Sequence, residues 1–198
     1  MTTSDIEHLM YSEHDLRNPV LAAVISNNPQ YILNCVKERK DLDQVTTFNV
    51  PALQLALYMG EREKICTTLV VGGASMQCTD FSGATALLVA AYCDSSLDDY
   101  CDTRSQVYRP ARPGADPNAR NNVGITALHY AIGNKNLNNC LYLLNHGADW
   151  EISCEQYGTA FEYANTLSRH VKGSMMIPIL EALQHRHGLK HDNMHLLE

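Results

Sequence analysis

The sequence has no long apolar run, no excess of positive charge and no paired cysteine motif, and each absence excludes a class of protein. Nowhere do 18 apolar residues follow one another, so we expect no membrane-spanning helix. The opening residues, MTTSDIEHLMYSEHD, carry no positive charge ahead of an apolar run, which predicts no secretory signal. Acidic residues outnumber Lys and Arg by 22 to 15, a balance that disfavours nucleic acids and anionic membranes as partners.

Cysteine usage bears on the compartment. The seven cysteines form an odd set with no C-x-x-C pair, which favours neither a disulfide framework nor a zinc site. No Asn-x-Ser/Thr acceptor for glycosylation occurs. We therefore expect an intracellular protein, in the cytoplasm, the nucleus or both.

Motifs of catalysis are missing as well. The sequence has no Walker loop, H-E-x-x-H, G-x-S-x-G or EF-hand pattern, so we expect neither an enzyme nor a bound cofactor. One group of histidines near the end of the chain is suggestive of a metal: His185, His187, His191 and His195. Gly188 interrupts the run and no thiol or carboxylate completes a tetrahedral site, so we expect no metal and interpret residues 189–198 as a polar tail. A metal- or redox-responsive switch, using these histidines or exposed thiols at Cys78, Cys93 and Cys101, is the alternative of another class.

What the sequence does contain is one phrase repeated along its length. An apolar residue followed three positions later by alanine occurs at Val20/Ala23, Leu53/Ala56, Leu87/Ala90, Leu128/Ala131 and Phe161/Ala164. Successive copies lie 33, 34, 41 and 33 residues apart, and a glycine closes a unit at Gly73, Gly114 and Gly147. A period of this length is typical of proteins built from stacked helical repeats.

The best-formed copy is NNVGITALHYAIGNKNLNNCLYLLNHGAD, residues 121–149. It resembles the ankyrin repeat, whose pattern is G-x-T-P-L-H-x-A-A, then a second helix ending in leucines, then G-A-D and a β-turn. The matching residues are Gly124, Thr126, Leu128, His129, Ala131, Leu143, Leu144, Gly147, Ala148 and Asp149. The resemblance extends over about residues 18–188.

This resemblance implies an all-α fold, an ankyrin-repeat α-solenoid of stacked helix-turn-helix units joined by β-turn or hairpin loops. We predict units near residues 18–50, 51–84, 85–125, 126–158 and 159–188. We interpret residues 1–17 as an N-terminal capping segment. Within it Ser4-x-x-Glu7 resembles a capping box and predicts a short helix over residues 4–12.

The repeated phrase also predicts how the first helix of each unit begins. Threonines whose hydroxyls we expect to cap a helix are Thr85, Thr126 and Thr159. Asn18 takes this role in the first unit, with Pro19 after it, whereas Pro51 leaves its helix without a side-chain cap. We expect His129 to form hydrogen bonds near its helix start rather than to act in catalysis.

The third unit is longer than its neighbours and contains DSSLDDYCDTRSQVYRPARP, residues 94–113. Two structures fit this segment: a helix from about Ser96 to Val107 followed by an extended loop, or an irregular insertion throughout. Acids precede arginines here, a pattern suited to a specific contact, although a long surface insertion is also tolerated at little entropic cost. The candidate contact residues are Tyr100, Arg104, Tyr108 and Arg109.

In ankyrin repeat proteins a partner usually lies against the β-turn tips and the exposed residues of the first helices. Carried over position by position, the resemblance implies a partner-binding set: Phe48, Val50, Tyr58, Met59, Phe81, Ser82, Tyr92, Val123, Ile125 and Asn134. The repeat pattern requires none of the aromatic members, and clustered exposed aromatics are typical of interface hot spots. The alternative is that these rings pack between adjacent turns.

The resemblance and the missing motifs together predict a non-enzymatic protein-protein interaction module. We expect it to be monomeric when free and to bind another protein or a peptide on its concave face. Within that class we favour a regulatory adaptor or inhibitor, and a structural scaffold subunit of a stable complex is the alternative.

Overall fold

The structure is a computed structural model that describes residues 10–60, 62–93, 114–170, 178, 179 and 181. The chain divides into two compact units, Met1–Asp116 and Pro117–Glu198. The first contains a 3-10 turn, Asp15–Arg17, and helices α1 (Pro19–Ile25), α2 (Pro29–Lys37), α3 (Ala52–Tyr58), α4 (Glu63–Gly72) and α5 (Ala86–Tyr92). The second contains α6 (Ala127–Gly133), α7 (Leu137–Asn145) and α8 (Ala160–His170).

The helices of the first unit form hairpins that stack side by side. Helix α1 packs against α2, and α3 packs against α4. The first helices α1, α3 and α5 also pack on one another in chain order, as do the second helices α2 and α4. In the second unit α6 packs against both α7 and α8. The predicted all-α architecture of helix-turn-helix units is confirmed.

Short loops join the hairpins, and isolated antiparallel bridges hold them. The bridged pairs in the described residues are Val45 with Pro51, Thr79 with Thr85 and Cys154 with Gly158. Each bridge lies just before a first helix, where the repeat pattern places a β-turn. These turns carry the candidate surface described below.

The repeated apolar residues and alanines form the core, as predicted. Val20, Leu53 and Leu87 are buried in the first unit, and Leu128 is buried in the second. The alanines that follow three positions later are buried as well. Full burial of such an aliphatic side chain contributes about 1.5–3 kcal/mol, whereas alanine allows the helix axes to approach.

Phe161 departs from this pattern. It is only half-buried, and its ring meets Trp150 edge-on with the two ring centroids 6.1 Å apart. The expected stacked column therefore includes this ring only in part.

Several helix starts behave as predicted: Pro51 leaves α3 without a side-chain cap, and Asn18 and Thr159 cap their helices. Asn18 Oδ1 accepts hydrogen bonds from the backbone N–H groups of Val20 at 2.9 Å and Leu21 at 3.2 Å. Thr159 Oγ1 accepts from the N–H of Glu162 at 3.2 Å, and the Glu162 carboxylate accepts from the N–H of Thr159 at 2.8 Å. This second arrangement is a reciprocal capping box.

The cap predicted at Thr85 is wrong. Its hydroxyl caps nothing, and within the described residues its buried Oγ1 has no hydrogen-bond partner. In α6 the hydroxyl of Thr126 lies 2.8 Å from Nδ1 of His129, three residues further on. Leu88 holds the same place after Thr85, and its side chain offers no polar partner.

Several sequence predictions fall outside the described residues. Most of the helix expected over residues 4–12 lies outside them. Residues 10–12 are described and are not helical, and the chain continues from them to the 3-10 turn. The insertion at 94–113, with Tyr100, Arg104, Tyr108 and Arg109, and the tail at 189–198 lie outside them too.

Candidate functional site

The loops before α3, α5, α6 and α8 share one closing hydrogen bond. Each is closed by a backbone hydrogen bond across five residues: Thr46 N to Val50 O at 2.9 Å, Asp80 N to Ala84 O at 3.1 Å, Asn121 N to Ile125 O at 3.0 Å and Cys154 N to Gly158 O at 2.9 Å. In three of them the opening side chain also accepts the N–H of the closing residue, through Thr46 Oγ1, Asp80 Oδ1 or Asn121 Oδ1. Phe48, Phe81 and Val123 lie inside three of these turns and are exposed.

Left-handed backbone conformations complete these turns. Gly83 has φ of 78° and Gly124 has φ of 81°, values that suit glycine. Asn49 holds the equivalent position before α3 with φ of 58°, and asparagine is among the residues that tolerate this region best. The sequence therefore specifies the turns through a polar residue at the start and a permissive residue near the end.

Large apolar side chains of the first unit are exposed at the turns and at the end of α5. Phe48 is 46% exposed, Phe81 is 61% exposed and Tyr92 is 58% exposed. We call these three residues the aromatic strip. Phe48 lies in the turn before α3 and Phe81 in the turn before α5, and α3 and α5 pack together. Helix α5 begins five residues after Phe81, is about 10 Å long and ends at Tyr92.

Two residues of the predicted binding set are core residues instead. Val50 is 0% exposed and Ile125 is 5% exposed, so neither offers a surface to a partner. The reason is local: each closes its turn, and its N–H is held by the side chain that opens the turn. Position in the repeat made both look like turn-tip residues.

The remaining predicted residues vary in exposure. In the first unit Met59 and Ser82 are half-buried. In the second unit Val123 and Asn134 are exposed. These four residues thus differ in how much of each side chain a partner could reach.

Tyr58 is tied into the protein rather than presented to solvent. It is half-buried, and its hydroxyl donates to Oδ2 of Asp80 at 2.7 Å. Asp80 is 3% exposed, and its Oδ1 also accepts from Ser82 N at 2.8 Å, Ser82 Oγ at 2.7 Å and Ala84 N at 3.1 Å. The hydroxyl of Tyr58 is therefore already used inside the first unit.

Sequence reasoning missed Asp15, in the 3-10 turn ahead of α1. Its carboxylate accepts from Thr47 N at 2.9 Å and from Thr47 Oγ1 at 3.0 Å, next to Phe48. It also accepts from Ser12 N at 2.7 Å and Ser12 Oγ at 3.2 Å. Burial alone would raise the pKa of Asp15, but the hydrogen bonds from Ser12 and Thr47 lower it below its usual value. Only the local Ser-x-x-Asp spacing was visible in the sequence.

His129 in the second unit is buried and bonded on both ring nitrogens. Nε2 lies 3.0 Å from the carbonyl oxygen of Gly158, and Nδ1 lies 3.3 Å from the backbone nitrogen of Thr126. Because a carbonyl can only accept, Nε2 carries the proton and Nδ1 accepts. Burial lowers the pKa of His129. The predicted hydrogen bonding near the helix start is confirmed.

Metal ligands and thiols are the other groups in the described residues that bear on chemistry. No group of three or more His, Cys, Asp or Glu side chains there could hold a metal ion. Burial raises the pKa of Cys93 to about 11 and that of Cys140 to about 12. The reactive form of cysteine is the thiolate, so both thiols are poor nucleophiles at neutral pH. The histidine cluster and Cys101 lie outside the described residues.

No helix in the described part of the chain is long and apolar enough to cross a bilayer. What the structure offers is a series of helical hairpins whose turns and first helices carry exposed side chains. Those features define an α-solenoid repeat protein.

The comparison with family models identifies the type of repeat. Residues 111–164, which include α6, α7 and the start of α8, match the model described as ankyrin repeats (many copies). This match supports an ankyrin repeat protein, and ankyrin repeats generally mediate protein-protein interaction. Comparison with curated proteins gave no match to the chain.

Proposed function

We propose that the chain is a non-enzymatic regulatory adaptor or inhibitor that binds a partner protein through the aromatic strip. The observation that carries this proposal is the exposure of Phe48, Phe81 and Tyr92 on the turn and first-helix side of the first unit. None of the three is among the buried core residues. Aromatic side chains bury large areas on binding and are enriched among hot-spot residues.

The strip favours an apolar or aromatic segment of the partner over a charged one. The neighbours of Phe48 and Phe81 at the two turn tips are uncharged: Thr47, Asn49, Ser82 and Gly83. The nearby charges, on Asp15 and Asp80, are both buried and hydrogen-bonded. A partner would therefore gain affinity here through desolvation and packing rather than through ion pairs.

Paired alanine variants test the proposal. We expect Phe81→Ala with Tyr92→Ala to weaken binding to a captured partner by about 30-fold, equivalent to the loss of about 2 kcal/mol. The melting temperature should hardly change, because exposed side chains contribute within about 0.5 kcal/mol to stability. The measurement is affinity capture from the native cell, followed by titration of the purified partner against both proteins.

Val71→Ala provides the matched control, since Val71 is an exposed apolar residue on the second helix α4. We expect this variant to bind the captured partner with the same affinity as the unmodified chain. Equal partner binding by the Phe81/Tyr92 double variant would contradict the proposal. A purified chain that aggregates unless a partner is co-expressed would instead favour a scaffold subunit of a permanent complex.

A further inference from the structure

Each of the two exposed phenylalanines is next to a residue that involves a buried carboxylate. Asp15 is bonded to Thr47, which precedes Phe48, and Asp80 directly precedes Phe81. Asp15 is 4% exposed and Asp80 is 3% exposed, and no other Asp or Glu in the described residues is buried. Neither makes an ion pair in that part of the chain. Burying a carboxylate without a basic partner is costly, and hydrogen bonds must offset the cost. Asp15 accepts hydrogen bonds from the turn that contains Phe48, and Asp80 accepts hydrogen bonds from the turn that contains Phe81.

The first contact joins the segment before α1 to the turn before α3. Asp15 accepts both the backbone N–H and the hydroxyl of Thr47, at 2.9 and 3.0 Å, across 32 residues of sequence. The Thr47 hydroxyl oxygen also lies 3.1 Å from Ser12 Oγ. Phe48 follows Thr47 directly in the sequence. The backbone just before Phe48 is therefore held by Asp15, a residue that precedes the first repeat.

The second contact joins the end of α3 to the turn before α5. Tyr58 donates to Oδ2 of Asp80 at 2.7 Å, while Oδ1 of the same carboxylate holds the N–H groups of Ser82 and Ala84. Phe81 lies between Asp80 and Ser82. With one oxygen bonded to Tyr58 and the other to the turn, the carboxylate cannot rotate without breaking a charge-assisted hydrogen bond.

We infer that the Asp15–Thr47 and Tyr58–Asp80 contacts fix the two turns so that Phe48 and Phe81 are presented in one conformation to an apolar segment of the partner. Asp15 and Tyr58 are thus positioning residues, not partner contacts. That the turns meet a partner rests on the proposed function, whereas the ordering of the turns does not. A turn that is ordered beforehand loses less conformational entropy on binding and so binds more tightly.

Hydrogen exchange of the free, full-length chain tests the ordering. Tyr58→Phe removes only the hydroxyl, and we expect the amides of Ser82 and Ala84 to exchange about tenfold faster, with the amide of Thr47 unchanged. Asp15→Ala should have the reverse effect, with faster exchange at Thr47 and at Ser12, whose N–H groups the carboxylate accepts, and unchanged exchange at Ser82 and Ala84. Tyr31→Phe, which removes the hydroxyl of an exposed tyrosine on α2, is the matched control and should change none of these rates.

Unchanged exchange at Ser82 and Ala84 in Tyr58→Phe would overturn the inference. Faster exchange throughout the unit would overturn it too, because the hydroxyl would then be a general stabiliser. If Asp15→Ala fails to fold, Thr47→Val removes one of the same hydrogen bonds with a smaller perturbation.

Binding separates this inference from the proposed function. We expect Tyr58→Phe to weaken a partner that also depends on Phe81 by about three- to tenfold. If Phe81→Ala weakens binding but Tyr58→Phe does not, the positioning role is wrong and the proposed function stands. If Phe81→Ala has no effect, the proposed function is wrong, although the exchange result still reports on the turns.

Discussion

At the scale of single residues, His129 makes the stability of its unit depend on pH. The imidazole is buried in its neutral form, and burial lowers its pKa below the ordinary 6.5. As the pH falls, the imidazole of His129 therefore binds a proton more readily in the unfolded chain than in the folded chain. The contribution of His129 to stability is complete above pH 6.5 and is lost as pH falls through the lowered pKa of the folded state.

His129→Gln should remove this dependence while it keeps the hydrogen bonds. Gln54 holds the equivalent place in α3, where its Nε2 donates to Cys78 O at 2.6 Å just as Nε2 of His129 does to Gly158 O. We expect the urea midpoint of the unmodified chain to fall relative to the variant as pH drops below 6.5. Parallel midpoints over that range would show that His129 does not titrate in this way.

Residue-scale assignments from the sequence were correct where a contact is local and failed where it is not. Asn18 and Thr159 cap helices within three residues of themselves, and a sequence displays that spacing. Thr47 meets Asp15 across 32 residues and Tyr58 meets Asp80 across 22, which no local pattern displays. Tyr58 therefore looked like a partner contact although its hydroxyl is bonded inside the unit.

At the scale of elements, the first helices differ in how completely their N-termini are paired. In α6 the ring of His129 accepts from the N–H of Thr126. In α3 the residue at the Thr126 position is Pro51, which has no N–H to donate. As a result Oε1 of Gln54 is buried with no hydrogen-bond partner within the described residues. The proline fixes the backbone for the helix but leaves an acceptor unsatisfied.

Pro51→Thr should therefore stabilise the first unit. A threonine supplies both a capping hydroxyl and the missing N–H, together about 1–2 kcal/mol, against about 0.4–1 kcal/mol lost because the unfolded chain gains freedom. We expect a net gain of about 1 kcal/mol, measured by urea denaturation.

Pro51→Ala separates the two contributions, since alanine restores the N–H without the hydroxyl. This variant should lie between the unmodified chain and Pro51→Thr in stability. If both substitutions destabilise the chain, the Gln54 acceptor is not what limits this helix start.

At the scale of the whole molecule, the repeat period was sufficient to predict the architecture. The same apolar-plus-alanine phrase recurs, each copy begins a first helix, and the helices observed in the first unit pack in that order. The surface was harder to predict, because repeat position indicates where a partner could lie but not which side chains are buried. Val50 and Ile125 show this most clearly, since both occupy turn positions and both are core residues.

The chain has a net charge of −7, and the salt dependence of its affinity for a partner tests which of two surfaces binds. The aromatic strip is uncharged, so affinity through it should vary less than about threefold between about 50 and 500 mM salt. The other candidate surface, the 94–113 insertion, carries Arg104 and Arg109 among several aspartates, and ion pairs made there would weaken steeply as salt screens them. Titration of the partner at several ionic strengths distinguishes the two surfaces. A loss of affinity of tenfold or more at high salt, together with unchanged binding by Phe81→Ala, would assign recognition to the insertion.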